Sequence, residues 1–256
     1  MREPPDVRPQ PRDTEAAIGF VREAIEHDRA GFWYHTIELP GGEVTPGFYD
    51  HRGLVEAYGL PADLTGARAL DVGSYDGFWA LELERRGAEV TALDVASSSD
   101  VDLPPAARER LRAQGWEAPM GERFARARER LGSRIRAVTG SVYELDPDRV
   151  GTFDFVHAGD LLVHLRDPVL ALQRLRAVTA GQALLSDCYD PDLREADTVR
   201  YLGGWRWAAW WLPSLPALVQ MVADAGFSQV ELVTTYNLAP RDQTSGPWRA
   251  VLRARP

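Results

Sequence analysis

One stretch constrains this chain more than any other: Ala69-Leu70-Asp71-Val72-Gly73-Ser74-Tyr75-Asp76-Gly77-Phe78-Trp79. The apolar run up to Val72 reads as a short buried strand. Gly73 and Gly77 bracket a tight turn, and Phe78-Trp79-Ala80-Leu81 with Leu83 opens a helix that closes at Arg85-Arg86-Gly87. A second strand, Glu89 to Leu93, ends on Asp94. Strand, glycine turn, helix, strand and acid in this order predict an α/β chain in which backbone N–H groups at a helix start face a ligand.

The residue types in the turn narrow the ligand. A phosphate-binding loop excludes acids from its rim, whereas Asp71 and Asp76 flank this one. Two carboxylates suit a ligand with a positive centre, and S-adenosylmethionine carries a sulfonium and an ammonium group. The expected cofactor contacts are Asp71, Gly73, Ser74, Tyr75, Gly77 and Phe78 in the turn, and Asp94 and Val95 at the tip of the second strand, where an acid meets ribose hydroxyls.

The rest of the chain fits a single such domain. Residues 1–12 hold four prolines among charges and read as a disordered tail, and residues 13–256 as one domain. Within it, 13–66 form an N-terminal cap: a helix from Glu15 to about Arg29, the β-like run Phe32 to Leu39, and a helical stretch Leu54 to Leu60. The core, 67–256, continues with helices over 104–132, strand three at Ile135 to Thr139 and the Ser141-Val142-Tyr143 segment, expected against the adenine ring. Strand four is Phe153 to His157, strand five Ala183 to Ser186, and a helix spans Ser214 to Ala225. Strands six and seven (Val230 to Thr235, Trp248 to Arg253) close the sheet as an antiparallel pair. The expected fold is Rossmann-like: a seven-stranded, mostly parallel sheet with helices on both faces, carrying the cap and a tryptophan-rich insertion at 190–213.

After strand four comes Gly159-Asp160-Leu161-Leu162-Val163-His164. Strand ends in an open parallel sheet line the ligand crevice, which places Gly159 beside the cofactor and Asp160 and His164 near the reacting centre. His164 or His35 is the candidate general base, with Asp160 orienting His164; a packing role is the alternative for His164. His157 reads as a core histidine, and His51 and His27 as surface residues without a role. Trp33, Tyr34 and His35 in the cap and Trp205, Trp207, Trp210 and Trp211 in the insertion are candidate acceptor-binding residues, with packing over the core an equal alternative for the cap's aromatic cluster. The insertion reads as either an aromatic lid or a satellite core, the lid being preferred.

Composition excludes other classes. With 29 basic and 38 acidic residues the net charge is −9, which disfavours a general nucleic-acid binder. Every basic residue is arginine; nine of them fall within 108–136, where interspersed glutamates favour a solvated, paired face over an RNA surface. A single cysteine, Cys188, excludes an internal disulfide and a multi-cysteine zinc site, and no metal constellation is expected. No membrane-length apolar run or signal segment stands out, so a cytoplasmic protein is expected.

The turn resembles motif I of the class I S-adenosylmethionine-dependent methyltransferases. Trp33-Tyr34-His35-Thr36-Ile37, Leu162-Val163-His164-Leu165-Arg166-Asp167-Pro168 and Trp211-Leu212-Pro213-Ser214 are further similar to the bacterial tRNA wobble-uridine (5-oxyacetate) carboxymethyltransferase family. That resemblance implies a carboxylated cofactor held by a lysine and by a tyrosine before the histidine. This chain has no lysine, and Val163 precedes His164, so plain S-adenosylmethionine is the expected cofactor. The expected activity is O- or N-methylation of a small-molecule acceptor, with specialised metabolism as the expected setting. The alternatives are a tRNA wobble-base modifier, disfavoured by the acidic charge, and a non-catalytic S-adenosylmethionine-binding protein.

Overall fold

The computed structural model describes residues 33–206 and 208–256, with Gly19, Arg22 and Glu26 before them. The proline-bearing tail, most of the expected first helix, His27 and Trp207 lie outside the described residues. Strands β1 (Trp33–His35) and β2 (Gly47–Tyr49) form a small parallel pair ahead of the main sheet. Where a helix is expected over 54–60 there is only a 3-10 turn, Arg52–Leu54. Gly59 at φ +84° and Pro61 leave too few residues to repay helix nucleation.

Strand β3 (Arg68–Val72) leads through the glycine turn into helix α1 (Phe78–Arg85), and β4 (Glu89–Asp94) follows. Helices α2 (Pro105–Ala113) and α3 (Glu122–Leu131) precede β5 (Arg136–Thr139). A short helix α4 (Pro147–Val150) leads into β6 (Phe153–Gly159), then α5 (Pro168–Val178) and β7 (Thr179–Cys188). The stretch expected as a lid folds as a hairpin, β8 (Val199–Arg206) with β9 (Ala209–Pro213). Helix α6 (Leu215–Asp224), β10 (Gln229–Asn237) and β11 (Trp248–Arg255) complete the chain.

The main sheet has seven strands in the order β10-β11-β7-β6-β3-β4-β5. All neighbours pair in parallel except β11, which runs antiparallel to both β10 and β7. The expected fold class is therefore the observed one.

Strand residues alternate between two cores, as a sheet covered on both faces requires. Leu70, Val72, Val156 and Leu185 pack with Leu172, Leu175 and Leu218 of α5 and α6. Ala69, Phe155, Leu184 and Val251 pack with Phe78, Leu81 and Leu83 of α1 and Phe124 of α3. Each such large side chain, fully buried, contributes about 1.5–3 kcal/mol. The helix boundaries follow local rules: Asp167 Oδ1 accepts from Leu170 N at 2.9 Å before Pro168 at the start of α5, and Ser214 Oγ accepts from Ala217 N at 3.1 Å ahead of α6. Among the described residues no helix is long and apolar enough to cross a membrane.

Candidate active site

Strand order reverses between β3 and β6, and ligands of open α/β sheets bind outside the carboxyl ends of the strands at such a switch point. Four loops meet there. In the first, Gly73 (φ +75°) donates its N–H to Leu93 O at 2.9 Å, and Gly77 N donates to Ser74 O at 2.7 Å, closing the turn. A Cβ on Gly73 would stand 3.2 Å from Leu161 Cδ1, so the turn lets backbone approach the loop after β6 closely. Gly77 serves a different end: a Cβ there would overlap the ring of Phe124, which packs α3 onto the loop. Phe78 is buried and stacks on His35, ring centroids 5.4 Å apart.

Asp94 ends β4 and grips this loop. Its Oδ2 accepts from Tyr75 N at 2.6 Å and its Oδ1 from Val95 N at 2.7 Å. Burial pushes the carboxyl up to about 6 against the pull of those two N–H groups. Tyr75 holds a non-glycine positive φ of 49°, and its hydroxyl accepts from Arg123 Nη2 at 2.9 Å. On the third loop, Ser141 caps the turn holding Val142 and Tyr143 by accepting from Tyr143 N at 3.3 Å. The Tyr143 hydroxyl donates to Asp102 Oδ2 at 2.9 Å and accepts from Asp167 N at 3.0 Å, tying three segments together.

The two acids of the turn do not act as a pair facing a cation. Asp76 is fully buried and turned toward the cap: Oδ2 accepts from Tyr34 N at 2.9 Å and His35 N at 2.7 Å, and Oδ1 pairs with His35 Nδ1. The expectation fails here because three cap donors, 41–42 residues away in sequence, claim the carboxylate. Asp71 Oδ1 accepts from His157 Nδ1 at 2.7 Å, and His157 Nε2 accepts from the Tyr58 hydroxyl at 2.9 Å. Asp71 Oδ2 is buried with no hydrogen-bond partner among the described residues.

The fourth loop carries Asp160, which follows Gly159 at φ +50°. Asp160 does not orient His164: both its oxygens accept from Arg249 Nε, at 2.8 and 2.7 Å. Arg249, on β11, is only 2% exposed and is among the largest fully buried side chains. Its guanidinium lies 5.0 Å from the Tyr49 ring and 5.9 Å from that of Tyr236. Beneath this pair Asp187 accepts from Leu162 N, Val163 N and Cys188 N at 2.6, 3.2 and 2.8 Å. Burial, then the charge of Asp160, push its carboxyl up to about 7. Burial likewise raises the Cys188 thiol and the Tyr34 and Tyr49 phenols.

His35 is locked between Asp76 and Phe78, and His164 Nδ1 lies 3.4 Å from Ala208 O. His157 is the core histidine expected. His51 is not a surface residue: it is 2% exposed and packs on His35, Phe78 and Trp79, since the absent helix lets the chain fold it inward. Burial holds it well below the usual imidazole range.

The tryptophans divide. Trp205 packs against the satellite cluster of Leu103, Ala107, Leu111 and Ala208, and buried Trp210 donates Nε1–H to Asp102 O. Trp211 donates to Arg166 O at 2.9 Å and faces Tyr201. Among the described residues of the hairpin, Trp205 and Ala208 join a satellite core and the indole N–H groups of Trp210 and Trp211 are tied to backbone acceptors, the packing alternative rather than the lid preferred from sequence. Trp33 packs on the second core from the cap. No group of three or more metal-ligating side chains occurs among the described residues.

These residues fit S-adenosylmethionine. The glycine turn, Asp94 and the 141–143 turn lie side by side at the carboxyl edge of the sheet, and the orphaned Asp71 Oδ2 leaves a buried acceptor for a cationic or N–H group. Arg249, Asp187, Tyr58, Tyr49 and Asp102 are missed by sequence reasoning. Only Arg249 leaves a trace, as a charge at an inward position of Arg249-Ala250-Val251-Leu252.

The family described as "Methyltransferase domain" matches residues 49–232. A magnesium-protoporphyrin O-methyltransferase of Rhodobacter capsulatus is 33% identical over 110 residues, 43% of this chain and 38% of that protein. A ubiquinone biosynthesis O-methyltransferase of Xanthomonas oryzae pv. oryzae (strain PXO99A) is 32% identical over 111 residues, with the same two shares. The match spans only 38% of the length of these curated relatives. Among solved structures, the N-terminal domain of EvdMO1 with SAH and D-fucose is similar at a TM-score of 0.56 and 20% identity, covering 93% of this chain and 95% of that one. Burkholderia thailandensis 1,6-didemethyltoxoflavin-N1-methyltransferase, with 1,6-didemethyltoxoflavin and S-adenosylhomocysteine bound, gives 0.57 and 20%, covering 97% and 92%. These two share the fold.

Proposed function

This chain belongs to the methyltransferase-domain family, and on that premise we propose that it transfers a methyl group from S-adenosylmethionine to an oxygen or nitrogen of a small-molecule acceptor. The observation that carries the reading is the convergence of the Gly73 turn, Asp94 and the Ser141-Val142-Tyr143 turn at the switch point, with Asp71 Oδ2 unpartnered beside them. Small acceptors suit the relatives, named for magnesium-protoporphyrin and ubiquinone biosynthesis.

The cofactor supplies a methyl group already activated by positive sulfur. The protein's part is to bind, align and exclude water. Asp94 would accept from the ribose hydroxyls, the turn around Gly73 would admit the methionine part, and Val142 and Tyr143 would flank the adenine. On the acceptor side Tyr34, Tyr49 and the Asp160–Arg249 pair form the wall. Asp160, rather than the encased His35, accepts the hydrogen of the nucleophile, and His164 at the helix entry is the second candidate.

The narrower likeness to the tRNA wobble-uridine family is the alternative. It requires a basic face over 108–136, but Arg112 pairs with Glu117 at 3.2 Å and Arg130 with Glu43 at 2.6 Å, so part of that charge is spent locally. A cytoplasmic, small-molecule enzyme is the reading preferred. Calorimetric titration with S-adenosylhomocysteine, followed by a mass-spectrometric screen of phenols, alcohols and amines, tests it. Binding with turnover of a small acceptor supports the reading. Binding without turnover of any acceptor favours the non-catalytic alternative, and no binding refutes both. Turnover of tRNA alone, falling steeply with salt, would favour the wobble-base alternative.

A further inference from the structure

Asp76 lies in the cofactor-side turn, yet every hydrogen bond its carboxylate makes goes to β1 of the cap. What β1 carries is Tyr34. Its ring meets that of Tyr75, in the same turn, at 5.2 Å on one side and that of Tyr49 at 5.1 Å on the other. Tyr49 lies 5.0 Å from the Arg249 guanidinium, whose Nε donates to Asp160 at 2.7 Å. An unbroken line of rings therefore runs from the cofactor-side turn to the ion pair at the end of β6, with Tyr34 at its centre. We propose that Asp76 is a positioning residue that couples cofactor binding to the acceptor wall: by fixing the backbone of Tyr34 and His35 to the turn, it sets Tyr34 between Tyr75 and the Asp160–Arg249 pair, and ordering of the turn orders the cap.

The geometry suits a coupling element. Asp76 is 0% exposed, and charge-assisted hydrogen bonds to two successive backbone N–H groups fix a strand's position and direction together. The His35 ring, held by Oδ1, stacks on Phe78 at the start of α1, so the latch is braced from the helix that follows the turn. Tyr34 also sits in the field of both Asp160 and Arg249, so a displacement of β1 would change the surroundings of the ion pair. This inference rests on the proposed cofactor reading, and its test separates the two.

The experiment is hydrogen exchange by mass spectrometry on the full chain, with and without S-adenosylhomocysteine, following peptides over 33–39, 94–100 and 141–145. In the wild type the ligand is expected to slow exchange in all three. In Asp76→Ala the slowing at 94–100 and 141–145 persists, that at 33–39 is lost, and KM for the acceptor rises about tenfold or more while ligand affinity changes less than about threefold. Asp76→Asn keeps an oxygen for both N–H donors and is expected to restore the coupling, which a general loss of stability would not explain. Tyr34→Ala leaves the latch in place, so protection at 33–39 stays while KM rises; this arm and the wild-type arm need no folded Asp76→Ala. Protection at 94–100 and 141–145 without any at 33–39 in the wild type overturns the coupling alone. Retention of protection at 33–39 in a folded Asp76→Ala does the same. No protection anywhere, with no heat of binding, refutes the cofactor reading itself.

Discussion

Replacing Arg249 by methionine tests the account of the site's electrostatics most directly. Arg249 is 2% exposed and Asp160 shows 16% of its side chain, with Nε at 2.7 and 2.8 Å from the two carboxylate oxygens. Removing the cation, which packs over the rings of Tyr49 and Tyr236, leaves Asp160 with the Cys188 thiol, whose Sγ is 3.9 Å from Oδ1. Breaking one side of a buried pair costs about 3–5 kcal/mol, because the remaining charge keeps its desolvation penalty. Total stabilities are about 5–15 kcal/mol, so the loss is a large fraction of the whole. At about 2–4 °C per kcal/mol for a chain of this size, melting should fall by roughly 6–20 °C. Removing both charges, with Arg249→Met and Asp160→Asn together, should recover much of the loss, since neither buried ion remains. The assay is a double-mutant cycle by urea unfolding at pH 7.5. A loss below about 1 kcal/mol for Arg249→Met would place the pair in the range of solvated surface bridges and refute the reasoning. A double variant no more stable than the single one would refute it too.

Three other outcomes follow from the geometry. With Asp94 in its proposed place at the ribose, S-adenosylhomocysteine should bind more weakly as pH falls through about 6, where the carboxyl takes up its proton; Asp94→Ala should weaken binding about tenfold and flatten that dependence, and calorimetry across pH 5–8 measures both. Tyr58→Phe should cost about 1–3 kcal/mol in urea unfolding, because it leaves the buried His157 Nε2 without its donor. Asp187 has a folded-state value of about 7, above its unfolded one of 3.8, so the folded state binds the extra proton between them and stability from this group falls as pH rises from about 4 to 7. Asp187→Asn should remove that slope, and the difference between wild-type and variant unfolding free energies at pH 5 and pH 8 shows whether it does.

The chain's local signals determined the frame. Gly73 and Gly77, the apolar run before them and Asp94 after the next strand mark the turn and its strands because backbone conformation and alternation are properties of adjacent residues. Asp167-Pro168 and Ser214 fixed two helix starts for the same reason. Side-chain partners were decided elsewhere. Asp76 looks like a ligand residue in its own turn and becomes a latch only when β1 brings donors to it from 41 residues away. Asp160 reads in sequence as the partner of His164, four residues on, but a backbone at φ +50° turns it to Arg249, 89 residues later. The tryptophans of the insertion read as a lid by number alone; the indole of Trp210 found Asp102 O, 108 residues earlier, and Trp205 packed into a satellite core with Leu103 and Leu111. A charged or hydrogen-bonding group buried away from water takes whichever partner the packed chain delivers. Which partner that is depends on strand order and crossover, and no stretch of adjacent residues encodes either alone.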